Sequence, residues 1–194
     1  MKNLYFNGLL LTLLIPALVG CVPLFAVGVG AGAGTGAYMS VDRRTSGIFV
    51  EDEGIELRTA RRISQQLGNS VHINVTSFNR NVLLTGEAPT ETAKQEIEKL
   101  AMSVQNVRNI VNEIKIAGNT SLHSRSTDAV TTSKVKTRFL HAGQFQINHV
   151  KIITENGIVY LMGLVKHREA ESAAEIASTT SGVLKVVKVF EFLD

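Results

Sequence analysis

The chain carries an internal repeat, and a repeat narrows the folds open to it more than composition does. One copy runs Ile73-Asn-Val-Thr-Ser-Phe, then a polar Asn79-Arg80-Asn81, then Val82-Leu-Leu-Thr and Gly86. The other runs Val150-Lys-Ile-Ile-Thr, then Glu155-Asn156-Gly157, then Ile158-Val-Tyr-Leu-Met and Gly163. Each is a pair of β-rich runs around a tight polar turn, and Asn-Gly is the strongest short hairpin signal. Gly86 and Gly163 stand 77 positions apart and end the second run of each copy. Glycine there points to a bend or a close backbone approach.

After each glycine the apolar spacing becomes helical. Ala93, Ile97, Leu100, Ala101 and Val104 fall on one helix face, and so do Ala170, Ala173, Ala174 and Ala177. Pro89 suits a first helical turn. Leu100-Ala101 and Ile176-Ala177 lie 76 apart, so one residue slips between hairpin and helix. A strand follows each helix (107–116 and 183–193), and another helix precedes each hairpin (55–67 and 130–141). The expected fold is α+β: two tandem α-β-β-α-β units, each a three-stranded mixed sheet with helices on one face. The crossover helix returns the third strand parallel to the second. Units of this size are marginal alone, so the two are expected to pack together. The predicted domains are 47–116 and 128–194, joined by a Gly/Asn/Ser/Thr-rich linker at 117–127.

The N-terminus reads as an export signal. Met1-Lys2-Asn3 precedes an apolar run that closes on Leu18-Val19-Gly20-Cys21. Residues 1–20 are the predicted signal peptide, and Cys21, the only cysteine, is the predicted lipidation site. The order Leu-Val-Gly-Cys resembles the bacterial lipobox, in which the thiol takes a diacylglyceryl group before cleavage exposes its amine. The competing reading is an uncleaved span. Pro16 and Pro23 interrupt it, and a span wants about 20 uninterrupted apolar residues. Residues 21–46, glycine-alternating from Val27 to Ala37, are predicted to be a flexible tether, the alternative being a weakly apolar strip that lies in the headgroup region.

Without residues 1–20 the chain has 19 basic and 17 acidic residues, a net charge of +2, and it has no tryptophan. That balance excludes the strong positive field of a nucleic-acid binder. Catalytic and metal signatures are missing too. His72, His123, His141, His149 and His167 show no ligand spacing. Glu51-Asp52-Glu53 lacks the alternation of a calcium loop and reads as a solvated turn capping the following helix. The glycines at 28–36 have no following Lys-Ser/Thr, so they form no phosphate loop. The chain is therefore expected to be a monomer with no enzymatic activity, metal or cofactor.

What remains is a binding surface. In the helix opening the second unit, Lys134, Lys136 and Arg138 stand among Val130, Val135, Phe139 and Leu140, with Thr127 or Asp128 as its cap. Cations beside apolar groups suit a helix lying in a membrane interface. The same pattern describes an ordinary amphipathic helix with its apolar side on its own sheet. Arg58, Arg61 and Arg62, with Glu56, make a rival surface in the first unit.

The hairpins at 73–86 and 150–163, Ile176-Ala177, and Gly182-Val183 before the last strand resemble the BON domain family (bacterial OsmY and nodulation). Asn106-Val107 and Leu100-Ala101 stand in the matching places of the first copy. The resemblance covers about 47–194, and 154–165 is its most specific stretch. With the lipobox, the whole chain resembles dual-BON outer-membrane lipoproteins of the division and outer-membrane stress-associated lipid-binding type. The resemblance implies a periplasm-facing, lipid-anchored protein that binds anionic phospholipid, supports the envelope barrier and catalyses nothing. Val22 after the cysteine, rather than aspartate, implies outer-membrane sorting. The resemblance also selects the second unit's first helix as the phospholipid site, with Val130, Lys134, Lys136, Arg138 and Phe139 in contact. The family's aromatic near the start of this helix is replaced by Ala129-Val130, and Phe139 is the expected substitute. The alternative is a protein–protein adaptor for an envelope assembly or cell-wall machine.

Overall fold

The computed structural model describes residues 42–117 and 122–194. The signal segment, Cys21 and the glycine-rich stretch lie outside the described residues. The first unit comprises α1 (Ser46–Leu67), a 3-10 turn (Gly68–Ser70), β1 (His72–Phe78), β2 (Asn81–Ala88), α2 (Glu91–Met102), β3 (Asn109–Asn112) and β4 (Lys115–Ile116). The second comprises α3 (Leu122–Ala142), a 3-10 turn (Ile147–His149), β5 (Val150–Glu155), β6 (Ile158–Val165), α4 (His167–Ser178) and β7 (Lys185–Phe192). This is the expected α+β architecture.

Both hairpins close on two left-handed residues, Asn79 (φ 51°) with Arg80 (63°) and Asn156 (51°) with Gly157 (73°). Positive φ at both central positions matches the turn's twist to that of the strands. β1 and β5 run antiparallel to β2 and β6, with Ile73 opposite Gly86 and Val150 opposite Gly163. A Cβ on Gly86 would fall 2.0 Å from the His72 carbonyl oxygen, and one on Gly163 2.3 Å from that of His149. The two glycines therefore mark a close backbone approach, and each strand runs two residues beyond its glycine. β3 and β7 lie parallel to β2 and β6. In the first unit the last strand lapses at Glu113-Ile114 while Ile114 turns into the core, 2 % exposed, and pairing resumes in β4. That sheet thus gains a fourth, two-residue strand.

Each sheet buries one face under its own helices. Ile55 and Ile63 of α1 and Ile97 and Ala101 of α2 meet Val82, Leu84 and Ala88. Val135 and Phe139 of α3 and Ala170, Ala173 and Ala177 of α4 meet Val159, Leu161 and Val165. Ile97 is fully buried and Leu100 half-buried. Ile97→Ala is expected to cost about 2–5 kcal/mol and Leu100→Ala less. Chemical denaturation giving under about 1 kcal/mol for Ile97→Ala would overturn this helix face.

The other faces of the two sheets pack on each other. Phe78 and Leu83 of the first meet Tyr160, Met162 and Leu164 of the second. This is why β6 reads as a continuous apolar run and why β2 is buried along nearly its whole length: both their faces are covered. Polar contacts rim the seam. Lys151 Nζ donates to Glu56 (2.8 Å), Asn74 Nδ2 to Glu155 (2.6 Å), Asn79 Nδ2 to Glu191 (2.8 Å) and Asn156 Nδ2 to Glu87 (2.9 Å). Burial, with the Glu87 and Asp128 charges, holds the Glu155 carboxyl above its ordinary value against the Asn74 hydrogen bond.

Three expectations are corrected here. First, Glu51-Asp52-Glu53 is no solvated turn. It lies on α1, which starts at Ser46 with Thr45 as its cap, and Asp52 is 2 % exposed. The Asp52 carboxylate accepts from the Asn79 and Arg80 N–H groups (2.8 and 2.7 Å), Ser77 Oγ (2.7 Å) and Arg44 Nη1 (2.9 Å). Second, Asp128 caps no helix start, because α3 starts at Leu122 inside the predicted linker. Its carboxylate accepts from the Asn156 and Gly157 N–H groups, both at 2.8 Å, as Asp52 does in the first unit. Third, the folded part begins before residue 46. Arg43 makes paired bonds to Glu169 (2.6 and 2.8 Å) and donates to the Leu164 carbonyl (2.8 Å). Arg44 lies over the Phe78 ring at 4.0 Å. This short segment therefore binds both units.

Candidate functional site

The α3 helix divides its residues by angle. Asp128, Thr131, Val135 and Phe139 recur every three or four positions and face the sheet, all buried. The opposite face carries Ala129, Val130, Ser133, Thr137 and Leu140, with Val130 55 % and Leu140 63 % exposed. Exposed Lys134 and Arg138, four residues apart, edge one side of this strip. Lys136, two positions from either, lies about 200° around the helix on the other edge. The result is an apolar and hydroxyl strip with cations on both flanks. A groove of about 620 Å³ lies between Val130, Ser133, Lys134 and Thr137 and the loop residues Thr180 and Ser181.

Of the residues selected from sequence, Val130, Lys134 and Lys136 lie on the exposed surface. Arg138 is exposed as well, but its guanidinium donates to the Ile176 carbonyl (2.9 Å) and Thr180 Oγ1 (2.8 Å). It fastens α3 to the end of α4, so part of its hydrogen-bonding capacity is already committed. Phe139 is a correction. It is 1 % exposed, and its ring meets that of Phe145 edge-on at 5.0 Å. It cannot enter a bilayer without opening the core, and Leu140 is the exposed apolar residue of that turn. Cys21 lies outside the described residues.

Two of the three rival arginines of the first unit are similarly committed. Arg58 pairs with Glu51 (2.5 Å), and Arg62 donates to Ser103 through its carbonyl (2.9 Å) and hydroxyl (2.6 Å). Glu56 faces the sheet seam instead, accepting from the Ser77 N–H and Lys151. Sequence reasoning missed Leu184, 82 % exposed just before β7, because a β-rich run reads as a strand with alternate residues buried. Among the described residues no group of three or more His, Cys, Asp or Glu is placed to hold a metal, and no helix is long and apolar enough to cross a membrane.

The BON domain profile matches the chain twice, at residues 55–118 and 127–194. The chain is 36 % identical over 179 residues to the outer membrane lipoprotein DolP of Haemophilus influenzae, covering 91 % of each chain. It is 37 % identical over 155 residues to the 21 kDa hemolysin of Actinobacillus pleuropneumoniae, covering 79 % of this chain and 80 % of that one. It is 25 % identical over 192 residues to osmotically-inducible protein Y of Escherichia coli, covering 96 % of each. Among solved structures, CdsD, a structural protein of the type III secretion system of Chlamydia trachomatis, aligns with a TM-score of 0.31 and 11 % identity over 75 % of this chain and 92 % of that one.

Proposed function

This chain belongs to the BON domain family, and from that premise we propose that it is an outer-membrane lipoprotein whose second BON domain docks on anionic phospholipid through α3. The envelope role and outer-membrane location follow the relative named as an outer membrane lipoprotein, which matches 91 % of the chain. That relative and the family point to a non-catalytic protein. The lipid reading is carried by one observation: α3 turns an exposed Val130 and Leu140 strip to solvent with Lys134 and Lys136 on opposite edges. Cations on both flanks of an apolar strip place charge at the headgroups while the strip meets the acyl boundary. Each basic group near an anionic surface contributes about 1 kcal/mol.

The test is titration of residues 40–194, which form one compact unit, with vesicles of phosphatidylglycerol or of phosphatidylcholine. Binding that requires the anionic lipid and weakens with salt supports the reading. No binding to either vesicle favours the adaptor reading, in which the same face meets an envelope protein.

The anchor is the second part of the proposal. Acyl chains on Cys21 would each bring about 0.8 kcal/mol per buried methylene, and two or three chains hold a protein firmly. In Cys21→Ala the N-terminal peptide is expected to lose its acyl mass, and the protein to leave the outer-membrane fraction. An unchanged peptide mass would refute lipidation, and wild-type protein recovered mainly with inner membrane would refute the sorting.

A further inference from the structure

Around Asp128 of α3 the second domain presents an apolar surface that its fold does not require. The Leu184 N–H donates to the Gly157 carbonyl at 2.8 Å. The Leu184 side chain lies over the hairpin turn, its Cδ1 2.8 Å from where a Cβ on Gly157 would stand. Asp128 of α3 holds the same turn through the Asn156 and Gly157 N–H groups. Gly182 presses on Thr131 of α3, where a Cβ would meet Oγ1 at 2.8 Å. Turn, loop and helix are thus joined at one end of the domain. That end exposes Leu184 (82 %) and Val130 (55 %), with Lys134 on the helix and exposed Lys185 beside the leucine.

The first domain supplies an internal comparison. There Asp52 caps the turn, and the Arg108 N–H donates to the Arg80 carbonyl at 2.9 Å. By these shared bonds Leu184 corresponds to Arg108 and Gly157 to Arg80, while Val130 and Gly54 each follow the capping aspartate by two residues. The same backbone arrangement therefore forms with two arginines and a glycine, and Arg108 turns to Glu191 of the sheet seam at 3.4 Å. Packing does not demand an apolar residue at 130 or 184. A leucine left this exposed, beside cations, is complementary to a surface with an anionic rim and an apolar interior.

We infer that Leu184, seated on the Asn156-Gly157 turn, forms with Val130 an apolar tip that enters the acyl boundary of an anionic phospholipid bilayer. This rests on the lipid-docking reading of α3 and adds a second element to it: the helix supplies charge along its flanks, and the loop supplies the deeper apolar contact. Burying a leucine side chain favours the docked state roughly tenfold or more.

The chain has no tryptophan, so one introduced indole reports without background. Leu184→Trp, Val130→Trp and Arg108→Trp are made in the full chain, purified from membranes and reconstituted into vesicles with or without phosphatidylglycerol. The readout is quenching by lipids brominated in the acyl chain. Quenching at 184 and 130 that requires phosphatidylglycerol, with none at 108, is the expected result. Quenching at 130 but not at 184 overturns the tip and leaves α3 docking intact. Quenching at 184 without 130 overturns it too, since the two residues must enter together, and equal quenching at 108 shows general adhesion. Quenching at none of them removes both readings. In the Val130→Trp background, Leu184→Asp is expected to lower the docked-to-free ratio roughly tenfold, and an unchanged ratio overturns the proposal.

Discussion

Lys134→Glu combined with Lys136→Glu is expected to abolish binding of residues 40–194 to phosphatidylglycerol vesicles while leaving the unfolding midpoint almost unmoved. Each lysine contributes about 1 kcal/mol at an anionic surface, and reversal replaces that attraction with a comparable repulsion. The total, about 4 kcal/mol, corresponds to roughly a thousandfold in affinity. Both side chains are exposed, and exposed charges carry only about 0–1 kcal/mol of stability. Arg138 is kept, because its bonds to Ile176 and Thr180 would confound a binding loss with a loosened helix. Wild-type binding should also weaken as salt shortens the Debye length to about 3 Å at 1 M, leaving a salt-resistant remainder from the apolar contact. If the double variant binds like wild type, α3 is not the lipid site.

Asp52→Ala is expected to be strongly destabilising to the first domain, costing at least about 3 kcal/mol. Its carboxylate satisfies two turn N–H groups, a serine hydroxyl and the Arg44 guanidinium, whose side chain is 7 % exposed. Alanine would leave these donors buried and Arg44 with Asp42 as its remaining acidic partner. Asp128→Ala removes the same turn cap with no arginine on it, and about 1–3 kcal/mol is expected. Set against a domain stability of about 5–15 kcal/mol, the first loss is severe and the second tolerable. Urea denaturation of both variants checks the order. Equal losses would mean that Arg44 adds nothing to the role of Asp52.

Much of this was legible because the signals are local. A two-residue hairpin turn needs two left-handed residues, and asparagine and glycine adopt that backbone at low cost, so Asn79 and Asn156-Gly157 could be read directly. Gly86 and Gly163 announced a close approach because no side chain fits there. The buried faces of α2 and α4 followed from spacing alone. Helix starts were less legible. The stretch from Ser46 and the one from Leu122 contain serine, threonine or glycine, which propensity places outside helices. Packing and capping outweigh those small preferences.

Phe139 shows where sequence reading of the site ran out. Val135, Phe139 and Leu140 are all apolar, and only the angle of α3 against β5 and β6 sends the first two inward and Leu140 out. Asp52 and Asp128 looked like helix-end residues because their partners, the hairpin turns, lie more than 25 positions away in the chain. The sequence by itself determined the repeat, the hairpins, the parallel return strands and the family, since the hairpins rest on near-neighbour contacts and on backbone conformations that few residues adopt, and the return strands on the fixed hand of a helical crossover. Only the tertiary structure decided that the two sheets bury their second faces against each other, that the aspartates lock the turns, and which residues of α3 meet solvent. Those outcomes depend on which distant surfaces come together, and local spacing carries no record of the partner.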